Sequence, residues 1–294
     1  MPRFDFNGGD LARLKHLMYS PGVPTIASST GVHRARRAGQ GARFLDYRRY
    51  VPGDDVRRID WTVFARLRQP FIRVIEHEEV LFVTILIDLS RSMDSGTPLS
   101  KAALACQLAC GLGYIALSKG DRLTCCISCA EKHVTLPTAR GPATITRLVR
   151  SLRERSVGGA TDLEDWAISY CRTARHRGLV IIISDFLNAG SVEGALDVLL
   201  SRRFKILAFQ ILSDADWAKE IGGPLRLIDS ESGRTMDILA TPESIAAYQE
   251  CLRCHNAQLE TYCLHRGQYY AYAQTDDNYL EVLARELRQN GLLQ

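Results

Sequence analysis

The sequence of 294 residues has little of the apolar character that exports a protein or anchors it in a membrane. The opening residues, MPRFDFNGGD, are polar and contain none of the hydrophobic core that a signal peptide needs. The longest weakly polar run, Ala102–Ser118, is short for a membrane span and includes Gln107. We therefore expect a cytoplasmic protein without a membrane span, in which this run is a helix that covers one face of a sheet.

Sequence motifs that indicate catalysis are also missing. There is no GxSxG turn of a serine hydrolase and no GxxxxGK[ST] loop of a P-loop ATPase. The seven histidines lie away from the acidic strand ends described below, so no Ser/His/Asp arrangement is indicated. These absences predict that the protein is not an enzyme.

Lysine is absent between Arg34 and Arg73, although arginine is frequent there. The same stretch supplies aspartates, which favour internal Arg–Asp pairing; these are Asp46, Asp54, Asp55 and Asp60. A basic surface for nucleic acid, anionic lipid or an acidic protein is the alternative. The net charge of +4 is modest and does not decide between the two.

Nine cysteines without an export signal indicate reduced thiols. The segment Cys251–His255 matches the CxxCH pattern of haem attachment, but that chemistry requires an exported protein. Zinc is a second possibility, because cysteine and histidine are its usual ligands; the candidates are Cys251, Cys254, Cys263 and His265. Ordinary buried helix cysteines are the expectation that we favour.

The strongest local signal lies in Val80–Met93, with the sequence VLFVTILIDLSRSM. Its unbroken aliphatic run predicts a strand buried on both faces, as in parallel sheets. Asp88, Ser90 and Ser92 follow at alternate positions, where open α/β sheets bind ligands. Carboxylate and hydroxyl oxygens suit Mg²⁺ or Mn²⁺. The alternative is a turn in which one of the serines caps a helix.

Two later segments support the metal interpretation. Gly158–Asp162 is a glycine-rich loop that presents Thr161, and Val180–Asp185 is a second apolar run that ends in a carboxylate. If both strands are central and parallel, their polar ends meet at one edge of the sheet. The sequence therefore predicts a metal site formed by Asp88, Ser90, Ser92, Thr161 and Asp185.

This set, in this order, resembles the metal-ion-dependent adhesion site of von Willebrand factor A domains. Asp185 stands in Ser-Asp-Phe, where that family more commonly has Thr-Asp-Gly. The resemblance implies Mg²⁺ or Mn²⁺ as the ion, with Asp185 acting through water.

Helical and strand patterns alternate through the remainder of the chain after Val80. Such alternation is typical of βαβ units and predicts a doubly wound, mostly parallel α/β sheet. The segment before it has many glycines, arginines and turn signals, so we expect a small irregular N-terminal appendage.

Tyr50–Trp61, with the sequence YVPGDDVRRIDW, is followed by Ala65-Arg66 and Glu78-Glu79. These segments resemble the signature of a bacterial family catalogued as domain of unknown function 58. The residues that carry the motif are Tyr50, Pro52, Gly53, Asp54, Asp55, Arg57, Asp60, Trp61 and Arg66. Because members pair this segment with a von Willebrand A-like domain, we divide the chain into an arginine-rich module, residues 1–79, and an A-like domain, residues 80–294.

The resemblance implies a MoxR-type AAA+ ATPase as partner. The expected function is a metal-dependent adaptor or co-chaperone that also binds an acidic residue of a client protein. Nucleic-acid binding by the arginine segment is not expected, and as an alternative it predicts salt-sensitive affinity that ignores Asp88. A metal-dependent phosphoesterase is the third possibility, and it needs a general base or more carboxylates than the sequence offers.

Overall fold

The computed structural model describes residues 2–19, 42–77, 80–129, 132–187, 192–218, 222–230 and 233–291. The chain forms two compact units. Met1–Ala27 and Leu81–Gln294 together form the first, which we call the α/β unit. Ser28–Val80 forms the second, which we call the arginine-rich unit.

The helices and strands are numbered in chain order. They are α1 (Gly8–Tyr19), β1 (Ala42–Arg49), α2 (Trp61–Leu67), β2 (Phe71–His77), β3 (Phe82–Asp88), α3 (Lys101–Ser118), β4 (Arg122–Cys129), β5 (Lys132–Thr135), β6 (Ala139–Arg140), α4 (Ile145–Arg153), α5 (Leu163–Thr173), β7 (Leu179–Ser184), α6 (Val192–Ser201), β8 (Lys205–Leu212), β9 (Gly223–Ile228), β10 (Thr235–Ala240), α7 (Pro242–His265), β11 (Tyr269–Gln274) and α8 (Tyr279–Gln289).

The main sheet has the strand order β11-β8-β7-β3-β4-β5, with β6 also paired to β4. The strands from β11 to β4 are parallel, whereas β5 and β6 run antiparallel to β4. The chain passes from β3 to β4 on one side and later crosses to β7 on the other. This reversal makes the carboxyl end of β3 the switch point where α/β sheets bind ligands. The predicted doubly wound, mostly parallel sheet is confirmed.

The central strands are buried on both faces because helices cover each side. In β3, Ile85 and Ile87 belong to one apolar cluster, while Leu86 between them belongs to a second. In β7, Ile181 and Ile182 divide in the same way. The continuous apolar runs of the sequence are therefore explained by two layers of helices rather than one.

Helix α3 lies within the larger apolar cluster, and its residues from Lys101 to Leu117 are buried. Its length and hydropathy would allow it to cross a membrane, but 94% of it is buried inside the protein. Small residues permit this close packing, since a Cβ at Gly113 would lie 2.9 Å from Leu123 and 3.2 Å from Leu148. As predicted, this helix covers one face of the sheet.

The N-terminal residues differ from the predicted division of the chain, which placed them in the arginine-rich module. Phe4, Phe6 and Leu14 are buried in the apolar cluster that contains α3 and α8. Residues 2–19 thus belong to the α/β unit, because their apolar side chains complete its core. The sequence pattern of a short helix with one apolar side did not reveal which surface it would cover.

The arginine-rich unit is more regular than the irregular appendage that we predicted. Strands β1 and β2 form an antiparallel pair with an irregularity between Phe44 and Asp46. After β1, the chain forms a 3-10 turn at Val56–Arg58 and then α2. Glu78-Glu79 of the family motif lie outside the described residues.

Candidate metal centre

The predicted site residues meet at the carboxyl edge of the main sheet. Asp88 ends β3, and Ser90 and Ser92 follow it in a 3-10 turn. Thr161 precedes α5, and Asp185 follows β7, the neighbour of β3. All of them are buried except Ser92, which is half-buried. We call the group of Asp88, Ser90, Ser92 and Thr161 the metal edge.

Asp88 is the centre of a hydrogen-bond network that uses both of its carboxylate oxygens. Oδ1 accepts the backbone N–H of Ser90 at 2.9 Å and the Thr161 hydroxyl at 2.8 Å. Oδ2 accepts the Ser184 hydroxyl at 2.7 Å. Because Thr161 donates its proton to Asp88, Ser128 is the donor in its 3.1 Å contact with Thr161. The network orients the Thr161 oxygen and holds Asp88 in one position.

Ser184 and Ser128 were not among the predicted site residues. Ser184 is the last residue of β7, and Ser128 pairs with Asp88 across the β3–β4 ladder. For both residues, the sequence feature that could have identified them as site residues is a serine hydroxyl at the carboxyl end of a buried strand. That signal is weak by itself, because serine also occurs at strand ends for reasons of turn formation.

The glycine-rich loop brings Thr161 to the metal edge through backbone hydrogen bonds. The N–H of Gly158 donates to the Leu89 carbonyl, and the N–H of Arg91 donates to the Gly159 carbonyl, each at 2.9 Å. Gly159 has a φ of 73°, in the left-handed region where glycine is unstrained. The loop thereby lies directly against the segment that carries Ser90.

The oxygen atoms of the metal edge fit a small hard cation. Ser90 Oγ and Ser92 Oγ form a hydrogen bond of 3.0 Å. The same separation suits adjacent ligands in an octahedron with metal–oxygen distances of about 2.1 Å. Ser90 Oγ makes no helix-capping bond, so the alternative role of an N-cap does not apply to it. Ser90, Ser92 and Thr161 would hold Mg²⁺ or Mn²⁺, with Asp88 contributing directly or through water.

The electrostatics of Asp88 also favour a bound cation. Burial raises its pKa, the hydrogen bond from Ser184 opposes this shift, and the charge of Asp185 adds to it. In the described part of the chain, no Lys or Arg side chain pairs with Asp88. The metal edge therefore contains a buried carboxylate without a cationic partner among these residues.

Asp185 lies at the same edge but has different partners. Its Oδ2 accepts from Lys101 Nζ at 2.8 Å, and its Oδ1 accepts from the Leu187 N–H at 3.1 Å. Lys101 also donates to Asp216 Oδ1 at 2.9 Å. Although burial by itself lowers the pKa of Lys101, the charges of Asp185 and Asp216 raise it overall. Sequence reasoning did not identify Lys101 or Asp216.

The aspartates of the arginine-rich motif stabilise local structure. Asp54 accepts two hydrogen bonds from Arg48, both at 2.6 Å, and this interaction lowers the pKa of Asp54 to about 2. Asp60 caps α2 by accepting from the Thr62 and Val63 amides, and it also accepts from the Tyr47 hydroxyl at 2.8 Å. The predicted Arg–Asp pairing is thus observed at Asp54.

The other motif residues form turns or exposed surface. Asp55 accepts from the Arg57 amide at the start of the 3-10 turn, and Gly53 has a φ of 107° in the turn before it. Tyr50 donates its N–H to the Pro70 carbonyl. The exposed members of the motif are Pro52, Gly53, Asp55, Arg57, Trp61 and Arg66.

The CxxCH segment lies within α7. Cys251 and Cys254 are exposed on α7, so the prediction that they are buried is wrong, whereas Cys263 is buried as predicted. His255 Nε2 lies 2.9 Å from the Phe186 carbonyl oxygen. Within the described ranges, no three His, Cys, Asp or Glu side chains are arranged to hold one metal ion.

The strand order is that of a von Willebrand A-like α/β domain, which the arginine-rich unit precedes in the chain. Residues 46–258 match the family described as "Protein of unknown function DUF58". Because this match covers most of the chain, the protein belongs to that family, as the motif predicted.

Relatives and solved structures give further likenesses. The uncharacterized proteins Rv1480 of Mycobacterium tuberculosis and Mb1516 of Mycobacterium bovis are each 28% identical over 259 residues, which span 87% of this chain and 81% of theirs. The conserved hypothetical protein BatB from Bacteroides thetaiotaomicron is 13% identical with a TM-score of 0.42, over 72% of this chain and 98% of that one. The SpRpn10 VWA domain is 10% identical with a TM-score of 0.41, over 73% and 97%.

Proposed function

We propose that the protein is a non-enzymatic adaptor that binds Mg²⁺ or Mn²⁺ at the metal edge and recognises an Asp or Glu side chain of a partner protein. The observation that carries this proposal is the convergence of Asp88, Ser90, Ser92 and Thr161, with two serine oxygens 3.0 Å apart. Three of these four ligands are neutral hydroxyls. A cation at the edge would supply positive charge that a partner's carboxylate could neutralise.

The partner class comes from the family rather than from the site. Membership of the family supports a MoxR-type AAA+ ATPase as partner, with this protein presenting a client that bears an acidic residue. Protein binding in the cytoplasm is part of the same proposal. The helix that resembles a membrane span is buried in the core, which is compatible with that location.

The test compares metal-dependent partner binding by the wild type and by Asp88→Ala. Each protein is used for pull-down from lysate of the native organism, once with Mg²⁺ and once with EDTA. We expect an AAA+ ATPase to be recovered only by the wild type with Mg²⁺, because Asp88 orients Thr161 and supplies the only carboxylate of the metal edge.

Asp94→Ala is the matched control for this experiment. Asp94 is exposed and lies in the same 3-10 turn as Ser92, but it is not part of the metal edge. It should retain wild-type recovery in Mg²⁺. Equal recovery by the wild type and Asp88→Ala, with or without EDTA, would contradict the proposal.

One observation keeps nucleic-acid binding as a second candidate function. Four exposed arginines of the arginine-rich unit make no ion pair within the described residues; they are Arg57, Arg58, Arg66 and Arg68. Counterion release makes binding of this type strongly salt-dependent. Affinity for nucleic acid that falls steeply with salt, and that Asp88→Ala does not change, would support this candidate instead.

A further inference from the structure

A buried ammonium group lies beside the metal edge. Lys101 is the first residue of α3, and its side chain is 1% exposed. Its Nζ is 2.8 Å from Asp185 Oδ2 and 2.9 Å from Asp216 Oδ1. The three residues come from α3, the end of β7 and the loop after β8, so the ion pairs join three separate segments of the same edge.

Both carboxylate oxygens of Asp185 already have hydrogen-bond partners. One of its carboxylate oxygens accepts from Lys101 and the other accepts from the Leu187 amide. Both oxygens of Asp216 also have partners. One accepts from Lys101, and the other accepts from the amide and the hydroxyl of Ser213, each at 2.7 Å. Neither carboxylate depends on a metal ion for a charged or hydrogen-bonding partner.

The two strand-end aspartates therefore differ in charge compensation. Asp185 has a cation in contact, whereas Asp88 has only hydroxyl and amide donors in the described part of the chain. A buried carboxylate without a cation is unfavourable. Binding of a metal ion to Asp88 is therefore more favourable than binding to Asp185. To bind Asp185, the ion would first have to displace Lys101 from its ion pair.

We propose that Lys101 acts as an internal cation that withholds Asp185 from the metal, so that the metal site consists of Asp88, Ser90, Ser92 and Thr161 alone. This inference rests on the proposed function and explains why the bound ion would prefer a carboxylate of the partner. With one carboxylate instead of two near the ion, more of the ion's positive charge is left for a carboxylate of the partner. Lys101 is in this sense a positioning residue for Asp185.

The test is Mg²⁺ titration by calorimetry of the purified full-length protein and its variants. Asp185→Asn keeps the shape of the side chain and leaves the Lys101–Asp216 pair in place. We expect its Mg²⁺ affinity to stay within roughly threefold of the wild type, because loss of a true outer ligand typically weakens binding about 10- to 100-fold. Asp88→Asn is the positive control and should weaken binding by about tenfold or more.

The variant Lys101→Met should change the Mg²⁺ affinity in the opposite direction to Asp88→Asn. Removal of the ammonium frees Asp185 to approach the ion, so we expect Mg²⁺ to bind at least roughly threefold more tightly than to the wild type. A merely structural role for Lys101 predicts weaker or unchanged binding. Circular dichroism of each variant checks that it is folded, since removal of one partner of a buried ion pair is strongly destabilising.

The outcomes separate this inference from the proposed function. If Asp185→Asn weakens Mg²⁺ binding as much as Asp88→Asn does, the lysine does not withhold Asp185 and only this inference is overturned. If the wild type binds no Mg²⁺, the proposed function fails and the inference fails with it. Should Lys101→Met not fold, the comparison of Asp185→Asn with Asp88→Asn decides alone.

Discussion

Two lysines at opposite ends of α3 have pKa values shifted in opposite directions, because their neighbouring charges differ. Lys101, in the first turn, lies between two carboxylates that raise its pKa. Lys119 follows the last turn, and its Nζ has no hydrogen-bond partner among the residues that the structure describes. Burial lowers the pKa of Lys119 to about 8, although the charge of Asp121 partly opposes this shift. The first lysine stabilises the fold in its charged form, and the second does not.

Lys119→Met should raise the melting temperature at pH 7. A lysine whose pKa is lower in the folded state than its usual 10.5 destabilises the folded state below pH 8. Stability then recovers as the pH rises towards 10.5, because the unfolded chain binds more protons in that window. After allowance for solvent screening we expect about 1 kcal/mol, or about 3 °C in Tm. Scanning calorimetry of both proteins at pH 7 and pH 10 measures the gain and its decrease.

Lys15→Met is the control for this comparison, because Lys15 is exposed on α1. It should change Tm little at either pH. A gain for Lys119→Met that is equally large at pH 10 would show that lost charge is not its cause.

At the scale of elements, the strength of the sequence pattern follows burial. Strands β3 and β7 are continuous apolar runs because helices cover both of their faces, and both were predicted. Strand β10 was missed because its residues are mostly exposed and it pairs with β9 in a sheet of two strands. A two-stranded sheet of this kind has no buried face to impose alternation on its sequence.

The start of β7 supplies a test of how closely its backbone approaches β3. A Cβ added at Gly178 would collide with the backbone carbonyl of Phe82, the first residue of β3. Because backbone atoms cannot move aside without disturbing the ladder, Gly178→Ala should lower the free energy of unfolding by about 3 kcal/mol. Urea denaturation measures this change.

Gly222→Ala is the matched control, since a Cβ there meets nothing within 4 Å. It should leave the urea midpoint almost unchanged. Equal midpoints for the two variants would mean that β7 and β3 are farther apart at this point than the structure shows.

At the scale of the whole molecule, the burial of the nine cysteine thiols shows which parts of the chain belong to the core. Six cysteines are buried, one is intermediate, and Cys251 and Cys254 are exposed. Burial raises the pKa of Cys106 to about 12 and that of Cys263 to about 11. Since the thiolate is the reactive form, buried thiols of this kind are inert in the folded protein.

Titration of the native protein with Ellman's reagent should therefore show two fast thiols, and denaturant should release all nine. The double variant Cys251→Ser/Cys254→Ser should lose the fast phase and keep the slow one. Fast reaction of four or more thiols in the native wild type would contradict the burial of the cysteines in the helices and in β4.

The sequence by itself determined the α/β alternation, the meeting of the strand-end polar residues at one edge of the sheet, and the family. Each of these depends on residues that lie close together in the chain or at the ends of strongly apolar strands. Because the carboxyl ends of parallel strands meet at one edge, Asp88 and Thr161 could be brought together without knowledge of their contacts.

Only the tertiary structure decided the partners of Asp185 and the position of residues 2–19. Lys101 is 84 residues away from Asp185 and 115 away from Asp216, and no local pattern relates them. The burial of Phe4, Phe6 and Leu14 likewise depends on the surface offered by α3 and α8. Such contacts arise from the packing of distant segments, so the choice between a lysine and a metal as the partner of Asp185 is made in the folded chain.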